Sequence, residues 1–216
     1  MLPIDRLPTE LLSRAIGYLK LNGILRVARS NRRWRHVALN HPKFWRDVVV
    51  DEFGDMSLAL TKARIAAARR RPLHLDFVHR HQGSRAERIL IDIVGPVISH
   101  VRILRVTVNS LYIMTLWRVL MHESPLLEQL EVTLHLDDNA HLVEVKNIAL
   151  PSRVLAGNAP RLRRVALENV FVAYDTPPVL HNVTEFRFTL PEGTYLSFPR
   201  WIFSDLPTLA GVWLPA

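Results

Sequence analysis

The stretch "LPTELLSRAIGYLKLNGILRVARSNRRWRHVALNHPKFWR", residues 7–46, decides how the rest of the chain is read. Within it, Arg32, Arg33 and Arg35 surround Trp34. Such a cluster can grip phosphates and stack a base, or it can be the wet side of a helix whose other side is buried. Spacing separates the two. Pro8 suits a helix start, because the first turn leaves its N–H groups unpaired anyway. Leu11, Leu12, Ala15, Ile16 and Leu19 then recur at helical spacing as one apolar stripe. Asn22-Gly23 is expected to end that helix. A second helical run from Ile24 to Leu39 places Val27, Ser30 or Asn31, Trp34 and Ala38 inward, with Arg26, Arg29, Arg33 and His36 on another face. Trp34 is thus expected to point at apolar neighbours while most arginines point at water. Phe44 and Trp45 add aromatic bulk, and Val48–Val50 suits a short strand or extended arm.

Taken together these residues resemble the F-box. That family runs Leu-Pro-x-Glu-Leu, an Ile and a Leu on the same helix, two aliphatics after a short break, Arg-Trp, and a final Trp-Arg. Here those are Leu7, Pro8, Glu10, Leu11, Ile16, Leu19, Ile24, Leu25, Arg33, Trp34, Trp45 and Arg46. The family usually has Pro and an acidic residue before the paired aliphatics, where this chain has Asn22 and Gly23. The resemblance implies a three-helix module that docks on a Skp-family adaptor and, through it, on a cullin of a ubiquitin ligase. Carried onto this chain, the adaptor contacts are Leu7, Pro8, Leu11, Leu12, Ile16, Leu19, Arg26 and Trp34.

Charge distribution agrees with a partner at this end. The net charge is +8, but residues 1–50 hold ten Lys/Arg against three Asp/Glu, and the remainder is almost balanced. A basic N-terminal segment prefers something acidic. A module of about forty residues also buries little by itself, so its apolar stripes want a second surface. The chain has no cysteine, which excludes disulfides and thiolate metal sites and favours a reducing compartment, cytoplasmic or nuclear. The start "MLPIDRLPTE" has no signal-peptide pattern, and no run of about eighteen apolar residues points to a membrane. The sequon at Asn182 is therefore not expected to carry glycan.

Downstream, "MSLALTKARIAAARRR" reads as a helix capped by Asp55 and stopped by Pro72, and "PLHLDF" alternates as a half-buried strand does. "ERILIDIVGPVISH" reads as a helix kinked at Gly95-Pro96, and "SLYIMTLWRVLMHE" as another. An L-x-x-L-x-L pattern then repeats at Val101/Leu104/Val106, Leu127/Leu130/Val132, Leu162/Val165/Leu167, Val183/Phe186/Phe188 and Leu209/Val212/Leu214. "NIALPS" at 147–152 is a further degenerate strand. Repeats of roughly 20–29 residues with this pattern resemble leucine-rich repeats. The combination looks like the leucine-rich F-box proteins of mushroom-type fungi.

The expected architecture is an α+β or α/β solenoid. It has a three-helix F-box over residues 1–50, a connecting helix over 51–71, and irregular leucine-rich-repeat-like strands and helices over 72–216. Solenoids need a polar cap, yet the chain stops at Ala216 directly after a repeat strand. A truncated product and a partner covering that end are both open readings.

Alternation along each strand puts the residue between the last two pattern positions on the open sheet face. Those residues, Arg105, Glu131, Ala166, Arg187 and Trp213, are the candidate substrate contacts for a polypeptide. No phosphate loop, GxSxG or cysteine nucleophile is present. His74, His79 and His81 lie close in sequence with only Asp76 nearby, which is read as a polar loop and not a zinc site. The expectation is a non-enzymatic substrate-recognition subunit with no cofactor and no metal, an unknown protein substrate, and no membrane or nucleic-acid partner. The competing expectation is a repeat-based scaffold or basic nucleic-acid-binding module acting outside the ligase.

Overall fold

The computed structural model describes residues 7–51, 54–80, 85–136, 149–172 and 177–189, and the backbone of 211–213. Its first part is four short helices: α1 (Thr9–Ile16), α2 (Leu21–Ala28), α3 (Arg32–Asn40) and α4 (Pro42–Trp45). Strand β1 (Asp47–Val50) follows, then α5 (Asp55–Ala68) and β2 (Leu73–His79). Next come α6 (Arg85–Ile89), a π turn over Leu90–Val94, α7 (Gly95–Val97) and β3 (Val101–Asn109). After α8 (Ile113–Val119) the chain is mostly strands: β4 (Gln129–His135), β5 (Ala149–Leu150), β6 (Arg164–Glu168), β7 (Phe171–Val172), β8 (Glu185–Thr189) and β9 (Gly211–Trp213).

Seven strands form one sheet in the order β1-β2-β3-β4-β6-β8-β9, every pair parallel. Each strand joins the edge left by the one before it. Only β5 and β7 leave the series, pairing with each other in a separate two-stranded sheet. Parallel pairing demands a crossover between successive strands, and the crossovers cover one face. That face is dry. Val48, Leu75, Leu104, Leu130, Val165 and Phe186 lie opposite one another in register, and all are at most 2% exposed. Burying side chains of this size stabilises the fold by about 1.5–3 kcal/mol each. The next core row, Val50, Phe77, Val106, Val132, Leu167 and Phe188, is buried as well.

The L-x-x-L-x-L pattern therefore marks β3, β4, β6 and β8 correctly, and leaves β7 unmarked. The sheet is longer than the five pattern copies, because β1 and β2 supply equivalent rows without the full pattern. The fifth copy falls partly outside the described residues, since only the backbone of 211–213 is described, paired with β8. His81, Leu209 and Leu214 also lie outside them.

Several local expectations are corrected. The first helix ends at Ile16, and Asn22-Gly23 lies inside α2. Gly23 serves packing: a Cβ there would stand 3.2 Å from the Cβ of Leu19. The single run from Ile24 to Leu39 is two helices, because Asn31 caps a new one by accepting the Trp34 backbone N–H at 2.9 Å. Ser30 and Asn31 are exposed; Ala38 is buried as expected, and Ile24, Ala28 and Val37 fill the interior with it. Gly54, not Asp55, occupies the N-cap of α5, which ends at Ala68 before the arginine run. At Gly95-Pro96 the expected irregularity is present, with the π turn immediately before it.

Helices and sheet share one hydrophobic core that runs from Leu12 to Phe188. The boundary expected at residue 50 coincides with the last residue of β1, which already pairs with β2. Among the described residues no helix is long and apolar enough to cross a membrane.

Candidate functional site

Two surfaces carry the candidate residues: the outer side of the helical module, and the open face of the sheet.

On the module, local sequence sets the geometry. Proline at 8 opens α1, and Asn31 turns the chain into α3. His41 then accepts the Lys43 backbone N–H at 3.2 Å through Nδ1 and starts α4 with Pro42 at its first position. Burial lowers the His41 pKa, and the charges of Lys43 and Arg46 push it the same way, which keeps the ring neutral and able to accept. Trp45 donates its indole N–H to the carbonyl of Asn40 at 3.1 Å, and Arg71 stacks over its ring at 3.9 Å. Arg33 donates to the carbonyl of Leu7, so the entry to α1 is tied to α3 beside Trp34.

This arrangement sorts the eight predicted contacts. Leu11 is 51% exposed, and Pro8 and Arg26 are exposed. Leu7, Leu19 and Trp34 are half-buried, the latter two packed on the core. These six can be touched from outside. Leu12 and Ile16, at 2% and 1% exposure, lie in the core and brace the surface from beneath. Tyr18, 79% exposed, belongs to the accessible apolar set, although the sequence reading passed over it. Its helical offset of seven from Leu11 was the available signal. The Trp34 indole N–H is buried and has no acceptor among the described residues. Arg29, Arg32 and Arg35 are exposed around this set and form a basic rim.

On the sheet, register brings the predicted substrate positions into one row. Val49, Asp76, Arg105, Glu131, Ala166, Arg187 and Trp213 are successive partners across seven strands. Arg105 donates to Glu131 at 3.0 Å. Neighbouring rows are polar too: His74 meets Asp47 at 2.7 Å, Arg164 meets Glu185 at 3.2 Å, and Thr133 donates to Glu168 at 3.0 Å. Burial would raise the Asp47 carboxyl, but hydrogen bonds and charge from Arg46 and His74 outweigh it and hold the pKa below the usual range. Ala166 has the smallest side chain of its row, and over it lies a depression of about 200 Å³ walled by Gln129, Glu131, Arg164, Glu185 and Arg187.

His74 belongs to the Asp47 pair and His79 packs against Tyr112 at 5.6 Å. Among the described residues no three His, Cys, Asp or Glu side chains converge on a common point.

In comparison with known families, residues 4–51 match the F-box-like family. The match covers the helical module and reaches through β1. No curated protein matches the chain.

Proposed function

We propose that this chain, which carries an F-box-like domain at residues 4–51, is the substrate-recognition subunit of a Skp–cullin–F-box type ubiquitin ligase. F-box domains generally bind Skp-family adaptors, and the module offers what such docking needs. The observation that carries the reading is Leu11, an exposed leucine on a domain of this family, with Leu7, Leu19 and Trp34 half-buried on the same module. Covering one such side chain is worth about 1.5–3 kcal/mol, and a half-exposed tryptophan is the residue type that dominates interfaces. The exposed arginines steer an acidic partner without supplying most of the affinity.

The parallel sheet is the substrate-presenting part in this reading. Strands added in chain order, with one dry face and one polar face, agree with a leucine-rich-repeat-like solenoid of the kind found in leucine-rich fungal F-box chains. The cullin, the transfer of ubiquitin and the cytoplasmic or nuclear setting follow from the same reading. The chain itself performs no catalysis in it and uses no cofactor or metal.

The test is adaptor capture. Purified Skp-family adaptor should be retained by the wild-type chain and lost with Leu7→Asp plus Pro8→Ala. Retention should survive a rise to about 0.5 M salt, because apolar docking is weakly screened and phosphate binding is not. An unretained adaptor, or a double mutant that still retains it, would leave a scaffold acting outside the ligase as the better reading.

A further inference from the structure

The open sheet face ends, at the N-terminal side of β2, β3, β4 and β6, in a bay of about 630 Å³ whose walls include His74, Arg102, Glu128, Arg161, Arg163 and Arg164. Among the described residues its walls carry four arginines and one carboxylate. Arg102 pairs with that carboxylate, Glu128, at 2.7 Å. Arg164 turns to Glu185 at 3.2 Å, outside the bay. Arg163 donates through Nη1 to the carbonyls of Pro160, Leu162 and Asn182 at 3.1, 2.9 and 3.4 Å. Those carbonyls orient the group and leave its charge in place. Arg161 is exposed and has no ion-pair partner among the described residues. The bay thus keeps an uncompensated positive charge on side chains of which at least one is already positioned.

We infer that this bay binds an acidic polypeptide segment, with Asp or Glu carboxylates of the ligand meeting Arg161 and Arg163. Guanidinium groups accept carboxylates in pairs of parallel hydrogen bonds, which gives orientation as well as attraction. A single small anion does not match a volume of about 630 Å³. A nucleic-acid strand does not match the surroundings. Its phosphates recur along the whole strand and need a continuous basic track, but Glu131, Glu168 and Glu185 interrupt the same face. Among the described residues the walls of the bay also hold no phenylalanine, tyrosine or tryptophan for base stacking. A short acidic stretch followed by uncharged residues does match. The depression over Ala166 shares Gln129 and Arg164 with the bay and can take the next side chain.

The inference supplies a ligand chemistry for the substrate-recognition reading and rests on it for the ligand being a polypeptide. Its test uses no adaptor, so the two can fail separately. The full-length chain is titrated into a fluorescein-labelled Glu/Gly decapeptide, its Gln/Gly counterpart and a single-stranded DNA decamer, at about 50 mM salt, where surface charges are weakly screened. The Glu peptide should bind at least about tenfold more tightly than the Gln peptide. Arg161→Glu should weaken it about tenfold, and Arg161→Gln by less. Arg118→Glu, an exposed position on α8, should change it little. Thermal unfolding of the Arg161 variants, expected to match wild type, confirms that the loss is local. Equal binding of the Glu and Gln peptides would overturn the proposal. So would equal losses from Arg161→Glu and Arg118→Glu, which would mean unspecific attraction to a basic protein. DNA binding that Arg161→Glu abolishes, without peptide binding, would make the bay a nucleic-acid site and overturn it as well.

Discussion

Arg64 of α5 donates its Nε–H to the backbone carbonyl of Phe44 at 2.6 Å, twenty residues earlier in the chain. A second arm of the same guanidinium reaches the carbonyl of Asp47. Phe44 lies in α4, the last helix of the module, and Asp47 begins the sheet, so one side chain pins the joint between them. It is only 5% exposed, and α5 holds it against both elements. The joint decides how the F-box-like domain is carried relative to the strands. It does so by satisfying two backbone carbonyls, one in α4 and one at the first residue of β1.

Replacing Arg64 with Leu should therefore destabilise the chain by about 3 kcal/mol, because two carbonyls out of bulk water lose a charged donor. Arg64→Lys should recover only part of this, since an ammonium cannot present two donors in a fixed fork. Urea unfolding of the three proteins measures it. A Leu variant as stable as wild type would show that water satisfies both carbonyls.

Leu11 and Leu12 are adjacent and should behave oppositely. Leu11→Asp changes a side chain that is 51% exposed, so unfolding should shift by less than about 0.5 kcal/mol. Adaptor affinity should nevertheless fall by tenfold or more, the loss of one buried leucine at the interface. Leu12→Ala empties a site that is 2% exposed and should cost about 2–5 kcal/mol of stability. Calorimetric adaptor titration alongside thermal unfolding separates the two. If Leu11→Asp kept full affinity, the exposed stripe would not be the docking surface.

The strand rows were readable because the side-chain period of a strand is two and a parallel register repeats it. Once Leu104, Leu130, Val165 and Phe186 were placed as equivalent, Arg105, Glu131, Ala166 and Arg187 had to share the opposite face. The contact residues of the helical module were readable as a group, through their spacing, but not as inside or outside. Leu11 and Leu12 both lie on the apolar side of α1, and only the packing of α3 against it buries one of them. Arg64 was invisible for a different reason. In sequence it is one cation in an alanine-rich helix, and its role depends on two carbonyls at positions 44 and 47. The basic bay was hidden likewise, since its arginines come from two stretches about sixty residues apart and meet only through strand register.

Arg69 offers a gain instead of a loss. It closes α5 at φ 56° and ψ −117°, a backbone region that residues with a Cβ avoid and glycine enters freely. Its side chain is exposed. Arg69→Gly should therefore raise stability by roughly 1 kcal/mol, the relief of that strain outweighing the extra freedom of glycine in the unfolded chain. A lower thermal midpoint would mean that the Arg69 side chain contributes more than the strain costs.

Asp76 gives the sheet face a pH signature. Burial raises its pKa, and the carboxylates of Glu131 and Asp51 add to the effect, with Arg105 opposing. The folded pKa therefore lies above the unfolded value of roughly 3.9. Between the two values the native state binds more protons than the unfolded one, so this residue's contribution to stability falls as pH rises through that window. Above it the ionised carboxylate is a constant penalty on the fold, and below pH 3.9 or so the penalty is gone. Asp76→Asn should consequently be slightly more stable than wild type at pH 7 and indistinguishable from it near pH 3. Asp47 contributes in the opposite sense on the acid side, its depressed pKa stabilising the fold until the pH falls through it, but it is present in both proteins and cancels in the difference. Urea midpoints of the pair at the two pH values decide the matter. An Asn variant weaker than wild type at pH 7 would mean that attraction to Arg105 outweighs burial, and that Asp76 belongs to the ion-pair row as a stabilising member.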